Sequence, residues 1–190
     1  PIWEFNTASI SCRTIRSDDK PINIPETIGK ITSAIINPFD GIVSDINVMN
    51  VRGTHTWIND LSFTLTGPTG ETVVLLANQC DDEDDFNISF DDESILIDVE
   101  CPYNDGTVYR SAEGLSIFNG TRAKGVWTLT VDDNADLDGG ALEGWELELC
   151  LKDDEATFLS VEPINAVLCP LQFEPLSLVA TLNEASNGQG

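Results

Sequence analysis

The sequence predicts an all-β fold, an antiparallel β-sandwich of jelly-roll type. Three observations predict it. Apolar and polar residues alternate with period two in five separate segments. Clusters of Gly, Asn and Asp lie between those segments, where chain reversals belong. No stretch holds an apolar stripe at helical spacing over about 11 residues.

The elements follow in order. Residues 1–29 are mixed, with Pro21 and Pro25, and read as an extended lead-in that includes a first strand. Ile42, Ile46 and Val48 then share one face while Asp45 and Asn47 share the other. Leu61, Phe63 and Leu65 alternate with Ser62, Thr64 and Thr66, the turn Gly67–Gly70 follows, and ETVVLLA returns as a second strand. Phe86, Ile88 and Phe90 alternate with Asn87 and Ser89. Trp127, Leu129 and Val131 alternate with Thr128 and Thr130, and Trp145, Leu147 and Leu149 with Glu146 and Glu148. Such strands bury one face and wet the other. Eight or so of them make a sandwich rather than a helical bundle. Beyond Cys150 the pattern weakens, Pro163, Pro170 and Pro175 appear, and NEASNGQG at the end is linker-like. The expected organisation is a lead-in over 1–29, a sandwich domain over 30–152, and a Pro-containing linker or the start of a following domain over 153–190. LSLVATL would be that neighbour's first strand.

The 190 residues include 33 acidic and 9 basic side chains, a formal charge of −24. This excludes an ordinary nucleic-acid binder, which needs clustered Lys and Arg, and disfavours attachment to an anionic membrane. A hydrophobic fraction of 41% is too high for a disordered acidic tail. No apolar run approaches the ~20 residues of a membrane span. Pro1 follows no initiator Met, basic n-region or apolar h-region, so the chain is expected to be a mature chain or an excised segment, monomeric as excised.

Five cysteines, Cys12, Cys80, Cys101, Cys150 and Cys169, form no CxxC, and His55 is the only histidine. A Cys/His zinc site does not follow from that pattern. Disulfides in an exported protein, secreted or at the cell surface, follow better. Cys80 and Cys101 flank an acidic excursion, and Cys12 and Cys150 lie near the two ends of the domain, so the expected pairs are Cys80–Cys101 and Cys12–Cys150, with Cys169 left over. Four cysteines allow three connectivities, and spacing alone does not choose among them.

The acid is concentrated in strand connections: DDEDD at 81–85, DDE at 91–93 and DDNADLDGG at 132–140. Calcium takes six to eight hard oxygen ligands, commonly from such loops. The third cluster is no EF-hand, because Leu137 stands where position 6 requires Gly, and starting at Asn134 puts Trp145 at position 12. Two readings stand side by side, a bound cation and a solvated acidic face. A serine-protease triad would have to use His55, yet there is no GxSxG and no HExxH. His55 reads as a structural histidine at a strand end. The four Trp mostly fit inward strand positions, and the Asn-x-Ser/Thr matches at Asn87 and Asn119 read as chance.

Three further pieces, GTHTW..DL.F.L..P.G from Gly53, FNG....G.WTL.V.D from Phe118 and DGG.L..W.L from Asp138, occur in one order across about residues 30–151. Together they resemble the P domain (P/Homo B domain) of the proprotein convertases, closest to the version in exported bacterial proteases and multidomain surface proteins. The resemblance implies a galactose-binding-like jelly-roll sandwich. It implies a non-catalytic domain that stabilises and regulates an adjacent serine endopeptidase of subtilisin type, or sometimes a metalloprotease. It also implies calcium, with Asp60, Asp91, Asp92, Glu93, Asp132, Asp133, Asp136 and Asp138 as candidate ligands. The DDEDD run lies outside the motif and is the weaker candidate. The expected partner is the adjacent catalytic or surface domain. A binding or adhesion module for carbohydrate or protein is the alternative, because one scaffold serves many functions.

Overall fold

The computed structural model describes residues 9–19 and 21–153. Cys169, Trp3 and the Pro-containing segment from 154 onward lie outside the described residues. Among the described residues the chain forms β1 (Ile10–Arg16), β2 (Ile22–Ile24), β3 (Gly29–Asn37), β4 (Ile42–His55), β5 (Leu61–Thr66), β6 (Thr72–Ala77), β7 (Phe86–Phe90), β8 (Val108–Tyr109), β9 (Gly125–Asp133) and β10 (Gly140–Lys152). Two short 3-10 turns, Ile58–Asp60 and Leu115–Phe118, complete it. No helix here is long and apolar enough to cross a membrane.

The strands make two sheets, as expected of a β-sandwich. One runs β1-β10-β4-β7-β8, with β2 beside the start of β10; the other runs β3-β9-β5-β6. The alternating residues of both sheets meet between them. Phe63, Leu65, Trp127, Leu129 and Val131 from one sheet, and Val48, Val51, Ile88, Phe90, Trp145, Leu147 and Leu149 from the other, are essentially inaccessible to solvent. Phe118 packs edge-on against Trp127 at 5.1 Å, a favourable arrangement for two aromatic rings. A polar link joins the two sheets beneath Trp145. Trp145 Nε1 donates to Ser33 Oγ at 2.7 Å, and Ser33 Oγ donates to Asp19 Oδ1 at 2.7 Å, so the only polar atom of a buried indole is satisfied by the opposite sheet.

Three expectations change. The sheets are not wholly antiparallel: β7 and β8 pair in parallel, Ser89 opposite Val108. A parallel pair needs a long crossover, and residues 91–107 supply it. The alternation in β4 is interrupted. The register shifts between Asp45 and Val43 and again between Val48 and Val51, where Asn50 has a φ of 53°. Each irregularity moves one residue out of phase. Val43 is therefore the buried residue at the start of β4 and Ile42 only half-buried, against the period-two reading. Trp57 is 41% exposed, not inward. It follows the end of β4, where strand alternation no longer sets the direction of a side chain.

Both disulfides form as expected, Cys12–Cys150 and Cys80–Cys101. Cys12 lies directly opposite Cys150 in the β1–β10 register, so the bond fastens an edge strand to the sheet. In the chain-entropy account the sequence separation of 138 residues closed by Cys12–Cys150 restricts the unfolded chain more than the separation of 21 closed by Cys80–Cys101. Replacing Cys12 and Cys150 by Ser should cost about 5 kcal/mol, and replacing Cys80 and Cys101 about 3 kcal/mol. Urea unfolding of the two double variants measures the order, and a larger loss from the second pair would contradict it.

Candidate functional site

The acidic side chains gather at opposite ends of β4. At its C-terminal end, His55 closes the strand and Ile58–Asp60 forms the 3-10 turn. The end of β9 delivers Asp132 and Asp133, and the turn 134–139 folds back over them. His55 Nε2 lies 3.4 Å from Asp133 Oδ2, with both side chains at 1% exposure or less. His55 Nδ1 is occupied by the backbone of Trp57. A buried charge without a partner is costly, so the histidine and carboxylate support each other in the core. Both ring nitrogens of His55 are thus engaged within the fold.

The other acids of this end are tied into the chain. Asp132 pairs with Lys30 at 2.5 Å across the β3–β9 ladder. Asp136 Oδ1 accepts from Ile28 N at 3.0 Å, and Asp138 Oδ1 accepts from Thr56 Oγ1 at 2.8 Å. Asp133 Oδ1 accepts from Ala135 N at 3.2 Å. Among the described residues the Asp60 carboxylate accepts no such bond. Burial, then Asp133 and Asp138, hold its carboxyl above the usual carboxylate range, while His55 lowers it. The 81–85 loop, the weaker candidate from sequence, belongs to this same end. Glu83 O accepts from Ile58 N at 3.0 Å, Asp85 N donates to His55 O at 2.9 Å, and the Cys80–Cys101 bond anchors the loop. Its backbone is unusual: Asn78, Cys80, Asp81 and Asp85 all have positive φ. Asn and Asp tolerate that region better than most residues.

At the N-terminal end of β4 the DDE residues take different roles. Asp92 is a structural cap. Its two oxygens accept from Leu115 N at 3.0 Å and Ser116 N at 2.8 Å, at the start of the 3-10 turn that buries Leu115 and Phe118. Such a cap contributes about 1 kcal/mol. Asp91 Oδ1 accepts from Glu93 N at 2.7 Å. The side-chain hydrogen bond from Asp91, then burial and Asp45, push the Glu93 carboxyl up. Asp45 is also pushed up, first by burial and then by Asp91, Glu148 and Asp92, against a lowering contact with the Ile46 N–H. Sequence reasoning missed Asp45 and Glu148. Both occupy outward strand positions that look like ordinary solvated acids until the β4–β10 register places Asp45 opposite Cys150 and Glu148 opposite Asn47.

The structure thus divides the eight candidate ligands into two groups: Asp60, Asp132, Asp133, Asp136 and Asp138 at one end, and Asp91, Asp92 and Glu93 at the other. Among the described residues no three acidic, His or Cys side chains stand together at metal-holding spacing. The donors are of the hard-oxygen kind that calcium uses. Asn87 is half-buried in β7, and Asn119 is in an exposed turn.

A family model described as the proprotein convertase P-domain matches residues 44–149. No curated relative matches the sequence. Solved structures similar to the chain include the complex of Aeromonas sobria serine protease with its chaperone, at 17% identity and a TM-score of 0.43, covering 74% of this chain and 27% of that one. The Aeromonas sobria serine protease itself matches at 18% identity and a TM-score of 0.42, covering 73% of this chain and 27% of that one. The chain spans about a quarter of the length of these proteins.

A carboxyl raised in the folded state contributes stability that is complete in acid and is lost as pH rises through its raised value. Asp45, Asp60 and Glu93 are all of that kind. Asp45→Asn should therefore raise the melting temperature at about pH 7 and leave it unchanged near pH 3, below the ordinary carboxylate range. Thermal melts of wild type and variant at the two pH values check this; a lower melting temperature for the variant at neutral pH would contradict it.

Proposed function

The chain belongs to the proprotein convertase P-domain family, and from that membership we propose that it is the non-catalytic accessory domain of an exported subtilisin-like serine endopeptidase. The observation that carries the reading is the extent of the family match, residues 44–149, which takes in the sandwich from β4 to β10. The two disulfides support an exported location, since such bonds persist in oxidising compartments. The domain acts as a rigid body that stabilises and regulates the catalytic domain beside it. Interfaces between domains resemble modest protein–protein interfaces, and a neighbour that binds only the native state of the enzyme raises its stability by mass action.

Calcium belongs to the same proposal. The ion would be held at the His55 end of β4, with Asp60 as the carboxylate not already bonded to the chain and Asp138 and the carbonyl oxygens of the adjoining loops beside it. Support comes from the raised carboxyl of Asp60, which burial and two neighbouring carboxylates disfavour as an anion. A divalent cation bound there would neutralise the repulsion and stiffen the rim.

The test uses the full-length protein with and without this domain. Deletion should shorten the half-life of the protease at elevated temperature by about tenfold or more, while kcat/KM on a short peptide changes less than about twofold. Excess EDTA should lower the melting temperature of the isolated chain by several degrees, and Asp60→Asn should remove that response. An unchanged half-life would remove the accessory role, and superimposable melts in calcium and EDTA would remove the ion.

A further inference from the structure

The lead-in turn before β3 and the turn between β9 and β10 face each other across a cleft of about 660 Å³ at the His55 end of the sandwich, lined by Asn23, Pro25, Glu26, Thr56, Leu137 and Gly139 among others. That volume lies within the range of cavities that accept ligands. Two hydrogen bonds hold the walls in place. Leu137 N donates to Glu26 O at 3.0 Å, and Ile28 N donates to Asp136 Oδ1 at 3.0 Å. The cleft is therefore a built feature of two joined turns.

Its lips are apolar and acidic together. Leu137, which lines the cleft, is 89% exposed, and Ile28, which follows the lining residue Thr27, is 63% exposed. Leu137 also has a φ of 90°, a conformation that costs a leucine about 1–2 kcal/mol and that glycine adopts freely. Its side chain recovers none of that cost by burial within the chain. A turn selected for stability alone would carry Gly at this place, and strain of this kind persists where a side chain serves another purpose. Glu26 lines the cleft, Asp136 and Asp138 flank Leu137 in sequence, and the chain as a whole carries a charge of −24. A partner here must cover aliphatic side chains and bring positive charge.

We propose that this cleft docks a polypeptide segment in which apolar side chains alternate with Lys or Arg, with Leu137 of the lining and the adjoining Ile28 as the apolar anchors, and Glu26 of the lining and the adjoining Asp136 as the charges that select it. The site is a property of this chain alone and does not depend on the accessory role. Burying a few aliphatic side chains against such lips supplies only modest affinity, in roughly the micromolar range, and the acidic field favours encounter with the right sign of charge.

Fluorescence anisotropy on the whole chain tests it. The probes are labelled decapeptides of alternating Leu and Arg, alternating Leu and Glu, and alternating Gly and Arg. The Leu-Arg peptide should bind at least about tenfold more tightly than either of the others. Leu137→Gly should weaken that peptide by about tenfold while leaving the weak Gly-Arg binding unchanged, and Glu26→Gln should weaken both peptides by a smaller factor. Leu137→Gly should also melt no lower than wild type, because glycine relieves the backbone. Equal binding of Leu-Arg and Gly-Arg peptides would show general attraction to an acidic protein and overturn the site. Unchanged Leu-Arg binding by Leu137→Gly, or a lower melting temperature for that variant, would overturn the role of Leu137.

Discussion

β4 and β10 approach each other at the acidic end so closely that no side chain fits at Gly53 or Gly140. A Cβ on Gly140 would lie 1.8 Å from Thr54 O, and a Cβ on Gly53 would lie 2.2 Å from Ala141 O and 2.5 Å from Phe86 Cζ. Two glycines, Gly53 opposite Leu142 and Gly140 opposite His55, let the two longest strands meet at this depth. The turn 134–139 can then fold back onto the end of β4, where Thr56 reaches Asp138 and His55 reaches Asp133. Any other residue at either glycine would have to push the strands apart and take the rim with them.

With that contact in place, the carboxylates divide by function. Some are spent on the fold: Asp92 caps the turn that carries Phe118 into the core, Asp19 ends the polar link through Ser33 to Trp145, and Asp133 supports the one histidine. Others are left at odds with their neighbours, Asp60 at one end and Asp45 with Glu93 at the other. A stable domain does not need the second kind. Their persistence beside a rigid framework fits a domain whose ends meet something positive, whether an ion or a partner, and fits the general observation that perturbed groups gather where function lies.

Much of the fold was legible because strand alternation is a direct print of burial on sequence. Phe86–Phe90 falls on a strand residue for residue, and Trp127 and Trp145 are core as their positions implied. Both disulfides form as expected, although spacing alone left three connectivities open. What alternation does not encode is a residue out of phase: Ser44 and Asn50 shift β4 without altering its composition, so alternation continued from Ile46 and Val48 does not place Val43 and Val51 in the core. Nor does local sequence reveal partners across a sheet. Asp92 reads as one acid in DDE, and only the fold shows its oxygens on Leu115 and Ser116. The 81–85 run lies outside the family motif, and only the fold shows its backbone bonded to Ile58 and His55 and the Asp85 carboxylate accepting from His55 N.

Native-state hydrogen exchange tests most directly the claim that the β4–β10 contact organises the rest. The amides of β4 and β10 should exchange only through global unfolding, with one common free energy, while those of 81–85 and 134–139 open at lower cost without disturbing them. Exchange from β4 and β10 through a partial opening, with the acidic turns still protected, would contradict the account.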